Sequence, residues 1–287
     1  MPSSTLLSLD AAPVLHPAEF EKIRRLAYEH CGIDLHNGKQ SLVAARLSKK
    51  LRELGLRTFQ EYYDHVTADR SGAAMATMID FLTSNHTSFF REPRHFDFLR
   101  KTIYPTLRTR PEIHIWSAAC SSGEEPYSIA MSLLEEGGAE AAASVCIKAT
   151  DISTRVLETA RRGIYPSERF QGIPMPVLQR YLLKGHNASA DRFRFRNEVR
   201  SMITFEHFNL MESIPGSYRC SVIFCRNIMI YFDKPTQQSL VARLSARLED
   251  GGYLFIGHSE SLNAISHGLD YVSPATYRKP VRQNGRS

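Results

Sequence analysis

Two adjacent carboxylates behind a single glycine make a poor cradle for a phosphate and a good one for a cation. Glu124 and Glu125 follow Gly123 in this way within the stretch IHIWSAACSSGEEPYSIAMSLL, Ile113 to Leu134. An apolar run ending at Trp116, then small residues, then a helix-forming run predict a strand, a tight loop and a helix. That arrangement opens many nucleotide-binding α/β domains. The further glycines that would bring backbone against a pyrophosphate are missing. S-adenosylmethionine carries an ammonium and a sulfonium and no phosphate, so it suits the loop better than a dinucleotide does. Ser122 and Glu125 also match a helix-capping box, which would give one glutamate a local task.

Other strand ends offer matching chemistry. The run ending KATDIS places Asp151 where a carboxylate can accept both ribose hydroxyls, although Asp there is also a good helix N-cap. The next strand ends in HFNLM. Asn209 has the donor and acceptor that an adenine edge requires, and Leu210 can pack on a purine. A fourth apolar strand, in SVIFCRNIMIYFDKPTQ, runs into Arg226 and Asn227, then Tyr231 and Phe232. A charge and an amide at a strand terminus are costly if buried without partners, so a site explains them better than a core. Ahead of the sheet, TSNHTSFFREPRHF carries Asn85, Thr87 and Arg91 between paired aromatics and a proline. It reads as an interdomain linker or as a lid over the pocket.

These residues need a scaffold, and the alternation after Arg91 supplies one. Strands are predicted at Ile113–Trp116, Val145–Thr150, Ile203–His207, Ser221–Cys225 and Tyr253–Gly257. Helices are predicted at Pro126–Glu136, Thr154–Arg162 and Thr236–Leu248. Such alternation means a doubly wound, mainly parallel sheet, an α/β fold of the Rossmann-like type. Tyr271–Arg278 adds one edge strand. Between Pro174 and Met202 the alternation pauses. Lys184–Asp191 is loop-like, and RFRFRNEV alternates at period two, which predicts a small β insertion at about 180–202 with a basic outer face.

The N-terminal part follows a different pattern. Phe20, Ile23, Leu26 and Ala27 share a helical face. Val43, Leu47, Leu51 and Leu54 line a second helix, Lys39 to Leu54, ended by Gly55. Thr58 opens a third helix with Phe59, Tyr62, Tyr63 and Val66 inward, and Ala73–Leu82 is a fourth. An all-α domain over residues 1–84 is therefore expected before a catalytic domain over 85–287. The second helix carries Lys39, Arg46, Lys49, Lys50 and Arg52, with Arg57 just beyond, against Glu53 alone. This is either a solvated face or a docking face for an acidic partner.

Bulk properties restrict the class. Hydrophobic residues make up 43% and charged residues 23% of 287 residues, ordinary for a globular protein. No apolar run reaches the roughly 20 residues of a membrane span, and the N-terminus lacks the pattern of a secretion signal. The five scattered cysteines include no C-x-x-C pair, so neither a disulfide framework nor a metal site is expected, and a reducing cytoplasm is. A net charge of +6 points to an anionic partner without choosing among them.

Taken together, TSNHTSFFRE, WSAACSSGEEPYS, ATDIS, FCRNIMIYFD and GHSESL resemble the CheR-type chemotaxis receptor methyltransferase family, from the N-terminal helices to Tyr277. The resemblance implies transfer of a methyl group from S-adenosylmethionine to glutamate side chains of membrane chemoreceptors, releasing S-adenosylhomocysteine. It implies cofactor contacts from Asn85, Thr87, Arg91, Glu125, Asp151, Asn209, Leu210, Arg226 and Asn227, and so prefers Glu125 to Glu124. In this family the helical domain faces the receptor's methylation helices, so Arg46, Lys49, Lys50 and Arg52 are expected to dock the substrate. In some members the β-subdomain grips a tethering peptide at the receptor C-terminus. The insertion here has one glycine, Gly185, where tether-binding members tend to have several.

A glutamate carboxylate is already ionised at neutral pH and needs no general base. Arg91 is expected to orient it and Tyr231 to position it near the methyl, with no metal. A monomer without nucleic-acid partners or membrane insertion is expected. The competing classes are a nucleic-acid methyltransferase, which the basic charge would suit, and a non-catalytic module that binds cofactor or receptor. FCRNIMIYF lacks the character of an amino-group-methylating loop, and the complete polar set argues against a mere binder.

Overall fold

The computed structural model describes residues 13–83 and 86–281. By contacts the chain divides into two compact units, Met1–Ser84 and Asn85–Ser287.

The first unit is helical, with α1 (Pro17–Cys31), α2 (Gln40–Glu53), α3 (Phe59–Ala68) and α4 (Ala73–Leu82). Its core follows the apolar stripes read from the sequence, with Ile23, Val43, Leu47, Leu51, Phe59 and Tyr62 buried beside Ile79, but Leu54 is exposed because α2 ends at Glu53. Local chemistry fixes the ends. Thr58 accepts from the Glu61 N–H and the Glu61 carboxylate accepts from the Arg57 N–H, closing the start of α3. Asp69 accepts from the Ser71 and Ala74 N–H groups ahead of α4.

The second unit opens with α5 (Arg94–Phe98) and α6 (Tyr104–Leu107), joined through a π turn over Leu99–Ile103. Its strands and helices follow as β1 (Ile113–Ala118), α7 (Glu124–Ser144), β2 (Val145–Asp151), α8 (Thr154–Arg162), β3 (Ile164–Pro166), α9 (Met175–Tyr181), β4 (Leu182–Lys184), β5 (Arg192–Phe195) and α10 (Asn197–Arg200). Then come β6 (Ile203–His207), β7 (Cys220–Phe224), α11 (Lys234–Arg247), β8 (Leu248–Phe255), β9 (Asp270–Ser273) and β10 (Thr276–Arg278). The main sheet has the order β6-β2-β1-β7-β8-β10-β9. From β6 to β8 it is parallel, and β10 and β9 close it antiparallel. It is a doubly wound, mainly parallel α/β sheet, as the alternation of strands and helices predicts.

Strand order reverses between β1 and β7. Right-handed crossovers then send α7 and α8 to one face and α11 to the other, leaving a crevice at the carboxyl ends of β1 and β7. Register levels those ends: Ala118 pairs with Thr150, Ser117 with Phe224 and Asp151 with His207. The residues just beyond β1, β2, β6 and β7 therefore emerge along one rim.

Several expectations need adjustment. β8 begins at Leu248 rather than Tyr253, because the Gly251–Gly252 pair lies within the strand at an irregular register against β7. A Cβ on Gly252 would meet the Glu249 and Ser221 carbonyls at 2.9 Å, so the glycines mark a bulge and not a strand start. The C-terminal segment forms two strands, since Pro274 and a left-handed Ala275 (φ 59°) turn the chain between them. The small sheet, order β3-β5-β4, draws its first strand from Ile164–Pro166, ahead of the expected window at 180. Its centre alternates as predicted, with Arg192 and Arg194 exposed and Phe195 buried. RFRFRNEV then leaves the strand, because Asn197–Arg200 coils into a helical turn that buries Val199. Phe195 stacks on Tyr127 of α7 with centroids 4.0 Å apart, fastening the small sheet to the large one. Among the described residues no helix is long and apolar enough to cross a membrane.

Candidate active site

The loop after β1 is held by backbone, not by a capping box. The Cys120 N–H donates to the Thr150 carbonyl at 2.8 Å, and the Ser121 N–H donates to Asp151 Oδ2 at 2.8 Å. Ala119 and Ser121 take positive φ values of 68° and 49°, strained conformations that the loop's hydrogen bonds sustain. The N-cap of α7 is Gly123 (φ 98°), with no side-chain cap. A Cβ there would lie 2.7 Å from Ala160 Cβ, so the glycine admits α8 against the turn. The Ser122–Glu125 capping box is thus not formed. Cys120 is buried, and burial with the nearby Asp151 and Glu125 carboxylates pushes its thiol well above the ordinary range.

The two glutamates have separate surroundings. Glu124 is fully buried. Its carboxylate accepts from the Ser122 hydroxyl at 2.6 Å and pairs with Arg169, which also donates to the Thr87 carbonyl. Glu124 thereby ties the 87 segment and the residues before α9 to the start of α7. Glu125 instead turns to the crevice. Its Oε1 accepts from the Ser117 hydroxyl at 2.6 Å and its Oε2 pairs with Arg226 Nη1 at 2.9 Å. Burial raises its carboxyl pKa, and Arg226 and Ser117 only partly offset this.

Arg226, just past β7, is the hub. Its side chain is 2% exposed. Nη2 donates to the Arg91 carbonyl at 2.5 Å and to Glu92 Oε2 at 2.8 Å, and the guanidinium lies 5.6 Å from the Phe96 ring centre. Glu92 was not foreseen, yet it binds more partners than either loop glutamate. Its Oε1 accepts from Asn227 Nδ2 at 3.3 Å and from the His258 N–H at 3.1 Å. Burial alone would raise its carboxyl. The Arg226 hydrogen bond and charge, helped by His258 and Asn227, hold it down to about 2.

A second unforeseen carboxylate shapes the turn after β7. Glu260 accepts from the Gly257 N–H at 2.6 Å, the Asn227 N–H at 2.9 Å and the Ile230 N–H at 3.3 Å. Burial raises its pKa and those N–H groups oppose the rise. Gly257 is required here, since a Cβ would fall 2.9 Å from both Glu260 Oε2 and the Asn227 nitrogen. Asn227 itself sits at φ 59°. Glu260 belongs to the GHSESL motif, so a signal existed. Glu92 stands beside Arg91 in the sequence, but nothing in that spacing marks it.

The other predicted residues are placed as follows. Asp151 is buried, and its two oxygens accept from the Ser121 and Ser153 N–H groups. It does not cap α8, because Ser153 does, accepting from the Val156 N–H. Asn209 and Leu210 are buried beyond β6, and Asn209 Oδ1 closes a turn by accepting from the Met211 N–H at 3.0 Å. Thr87 and Arg91 are half-buried, and Arg91 Nη1 donates to the His86 carbonyl at 3.0 Å. Tyr231 is half-buried on the single helical turn Met229–Tyr231. Asn85 lies outside the described residues. In the helical unit, Lys49 and Arg52 are exposed, Lys50 pairs with Glu53 at 3.3 Å, and Arg46 donates to the Leu82 carbonyl that ends α4.

Arg226 stands between two carboxylates, Glu92 and Glu125, where strands β1 and β7 part. Such a rim suits an ammonium, and with a carboxylate at the end of β2 it suits an amino-acid-bearing nucleoside.

The chain is similar to known proteins over most of its length. The family model described as "CheR methyltransferase, SAM binding domain" matches residues 85–277, and "CheR methyltransferase, all-alpha domain" matches residues 18–83. A chemotaxis protein methyltransferase of Borreliella burgdorferi is 40% identical over 91% of this chain and 94% of its own. Chemotaxis protein methyltransferase 2 of Pseudomonas aeruginosa is 42% identical over 90% and 92%. The chemotaxis protein methyltransferase of Escherichia coli is 39% identical over 96% and 95%.

Removing one partner of a buried ion pair strands the other, at about 3–5 kcal/mol. Glu92→Leu should therefore destabilise the second unit by that order in urea unfolding, and Glu92→Gln, which keeps the shape and part of the hydrogen bonding, by less. Equal, near-zero effects of both would show that Arg226 does not depend on Glu92.

Proposed function

Because the chain belongs to the CheR methyltransferase family, whose members methylate in chemotaxis with S-adenosylmethionine, we propose that it methylates glutamate side chains of membrane chemoreceptors from the cytoplasm. The observation that carries the reading is the Arg226–Glu125 pair at the strand switch, with Asp151 beside it. In this reading Glu125 receives the cofactor's ammonium. Burial raises the Glu125 carboxyl pKa, and a bound cation would favour its ionised form. Asp151 takes the ribose hydroxyls, and Asn209 with Leu210 frames the adenine. Asn85, Thr87, Arg91 and Asn227 complete the contacts.

The reaction needs no proton transfer. A carboxylate oxygen attacks the methyl carbon, a C–O bond forms, and the C–S pair returns to sulfur, leaving S-adenosylhomocysteine and a methyl ester. Opposite charges cancel on the way, so geometry matters more than charge stabilisation. Holding oxygen, carbon and sulfur in line is the enzyme's main contribution. Arg91 orients the incoming carboxylate, and Tyr231 sets its distance from the methyl. The helical unit presents α2 to the receptor's acidic methylation helices. Lys49 and Arg52 are exposed on it, whereas Arg46 is engaged with Leu82 and Lys50 with Glu53.

Transfer of labelled methyl to receptor-containing membranes tests the chemistry. A base-labile label is expected, and a base-stable one would refute ester formation. Arg91→Ala should lower turnover at least a hundredfold with little change in unfolding midpoint; wild-type turnover would remove Arg91 from the mechanism. The double variant Lys49→Glu, Arg52→Glu should slow receptor methylation several-fold, most at low salt. If it does not, α2 is not the docking face.

A further inference from the structure

One cluster shares Glu92 with the Arg226 network and adds two histidines that the proposed methyl transfer does not use. Glu92, left-handed at φ 59°, lies just ahead of α5, His95 lies in the first turn of α5, and His258 comes from the loop after β8. One ligand atom of each lies within 4.8 Å of the others. Glu92 Oε2 is 3.6 Å from His95 Nδ1 and 4.0 Å from His258 Nε2. The two imidazoles meet edge to face, with centroids 4.9 Å apart.

His95 is the telling member. It is 2% exposed, and neither ring nitrogen makes a well-formed hydrogen bond. Buried polar side chains are almost always satisfied, and one that is not asks for a ligand. His258 is 43% exposed on its side chain, which gives an ion a way in and leaves room for solvent in the remaining coordination positions.

We propose that Glu92, His95 and His258 form a binding site for a divalent transition-metal cation of the zinc class. Two imidazoles and a carboxylate are a borderline N/O set that suits zinc over calcium or magnesium, and three protein ligands with an open position are common for it. Tetrahedral zinc with bonds of about 2.0–2.1 Å separates its ligand atoms by about 3.3 Å. The observed separations close to that value with small side-chain rotations. The signal was hidden in the sequence because it joins residues 92 and 95 to residue 258.

Arg226 sets the strength of the site. Its guanidinium already holds Glu92 Oε2 at 2.8 Å, so an arriving cation shares that oxygen with a resident positive charge. Binding is therefore expected to be micromolar rather than nanomolar, a reversible site and not a structural one.

The test uses the full chain, stripped of metal by chelation. Titration with zinc sulfate in a calorimeter should show one equivalent bound with a micromolar Kd. Cobalt chloride should give the visible d–d absorption of a low-coordinate N/O site. His258→Ala, an exposed change that leaves the fold intact, should weaken zinc at least tenfold and abolish the cobalt bands. His114→Ala, which removes an exposed histidine elsewhere, should leave both unchanged. Unaltered thermal unfolding of the His258 variant guards against a folding artefact. The absence of stoichiometric zinc binding, or binding that His258→Ala does not weaken, would overturn the proposal. These readouts do not depend on which substrate the enzyme methylates.

Discussion

A guanidinium can be buried only where acceptors surround it, and Arg226 is the buried guanidinium on which this crevice depends. Its acceptors come from the start of α7, through Glu125, and from the segment ahead of α5, through Glu92 and the Arg91 carbonyl. None of these stretches is adjacent to it in sequence. Satisfying one charge draws the 91–92 segment over the crevice and fixes the direction of the Glu125 carboxylate. Glu92 then reaches on to Asn227 and His258, so the ends of β7 and β8 are held by the same network.

Around this network the backbone is strained and the strain is concentrated. Phe90, Glu92, Ala119, Ser121 and Asn227 all adopt positive φ without being glycine. Each lies within the loops that meet at the switch in strand order. Such conformations cost of order 1–3 kcal/mol each and persist only where neighbours over-determine them. Here those neighbours are carboxylates accepting backbone N–H groups: Asp151 for Ser121, and Glu260 for Asn227. Carboxylates at the strand ends thus do two tasks. Glu124, Asp151 and Glu260 shape the loops, and Glu125 holds Arg226 and the Ser117 hydroxyl.

This division explains what was and was not readable from the sequence. The central strands announced themselves as apolar runs. Ile203–His207, Thr154–Arg162 and Ala73–Leu82 fall where periodicity placed them, because local pattern and tertiary burial agree there. The β8 start and the C-terminal hairpin were misjudged where glycine or proline acts through a register shift or a left-handed residue, which pattern does not encode. The small sheet began earlier than expected because three residues, Ile164–Pro166, are too short a run to show alternation. Within the site, Glu124 and Glu125 were inseparable by spacing. Only the fold shows that Arg169 takes one and Arg226 the other. Glu92 escaped notice because its main partner lies 134 residues away, and no local rule links an acid after FFR to an arginine after a distant strand.

The central claim is that Arg226 couples Glu92 to Glu125 and that this coupling forms the cofactor pocket. A double-mutant cycle with Glu92→Gln and Glu125→Gln, read as S-adenosylhomocysteine affinity by calorimetry, tests it most directly. Residues joined through one ion-pair network show interaction energies of about 0.5–3 kcal/mol. The account predicts that the double variant loses affinity by a free energy differing from the sum of the single losses by at least about 1 kcal/mol. Losses that add would mean that the two carboxylates act independently, and that Arg226 is no more than a buried charge with two neighbours.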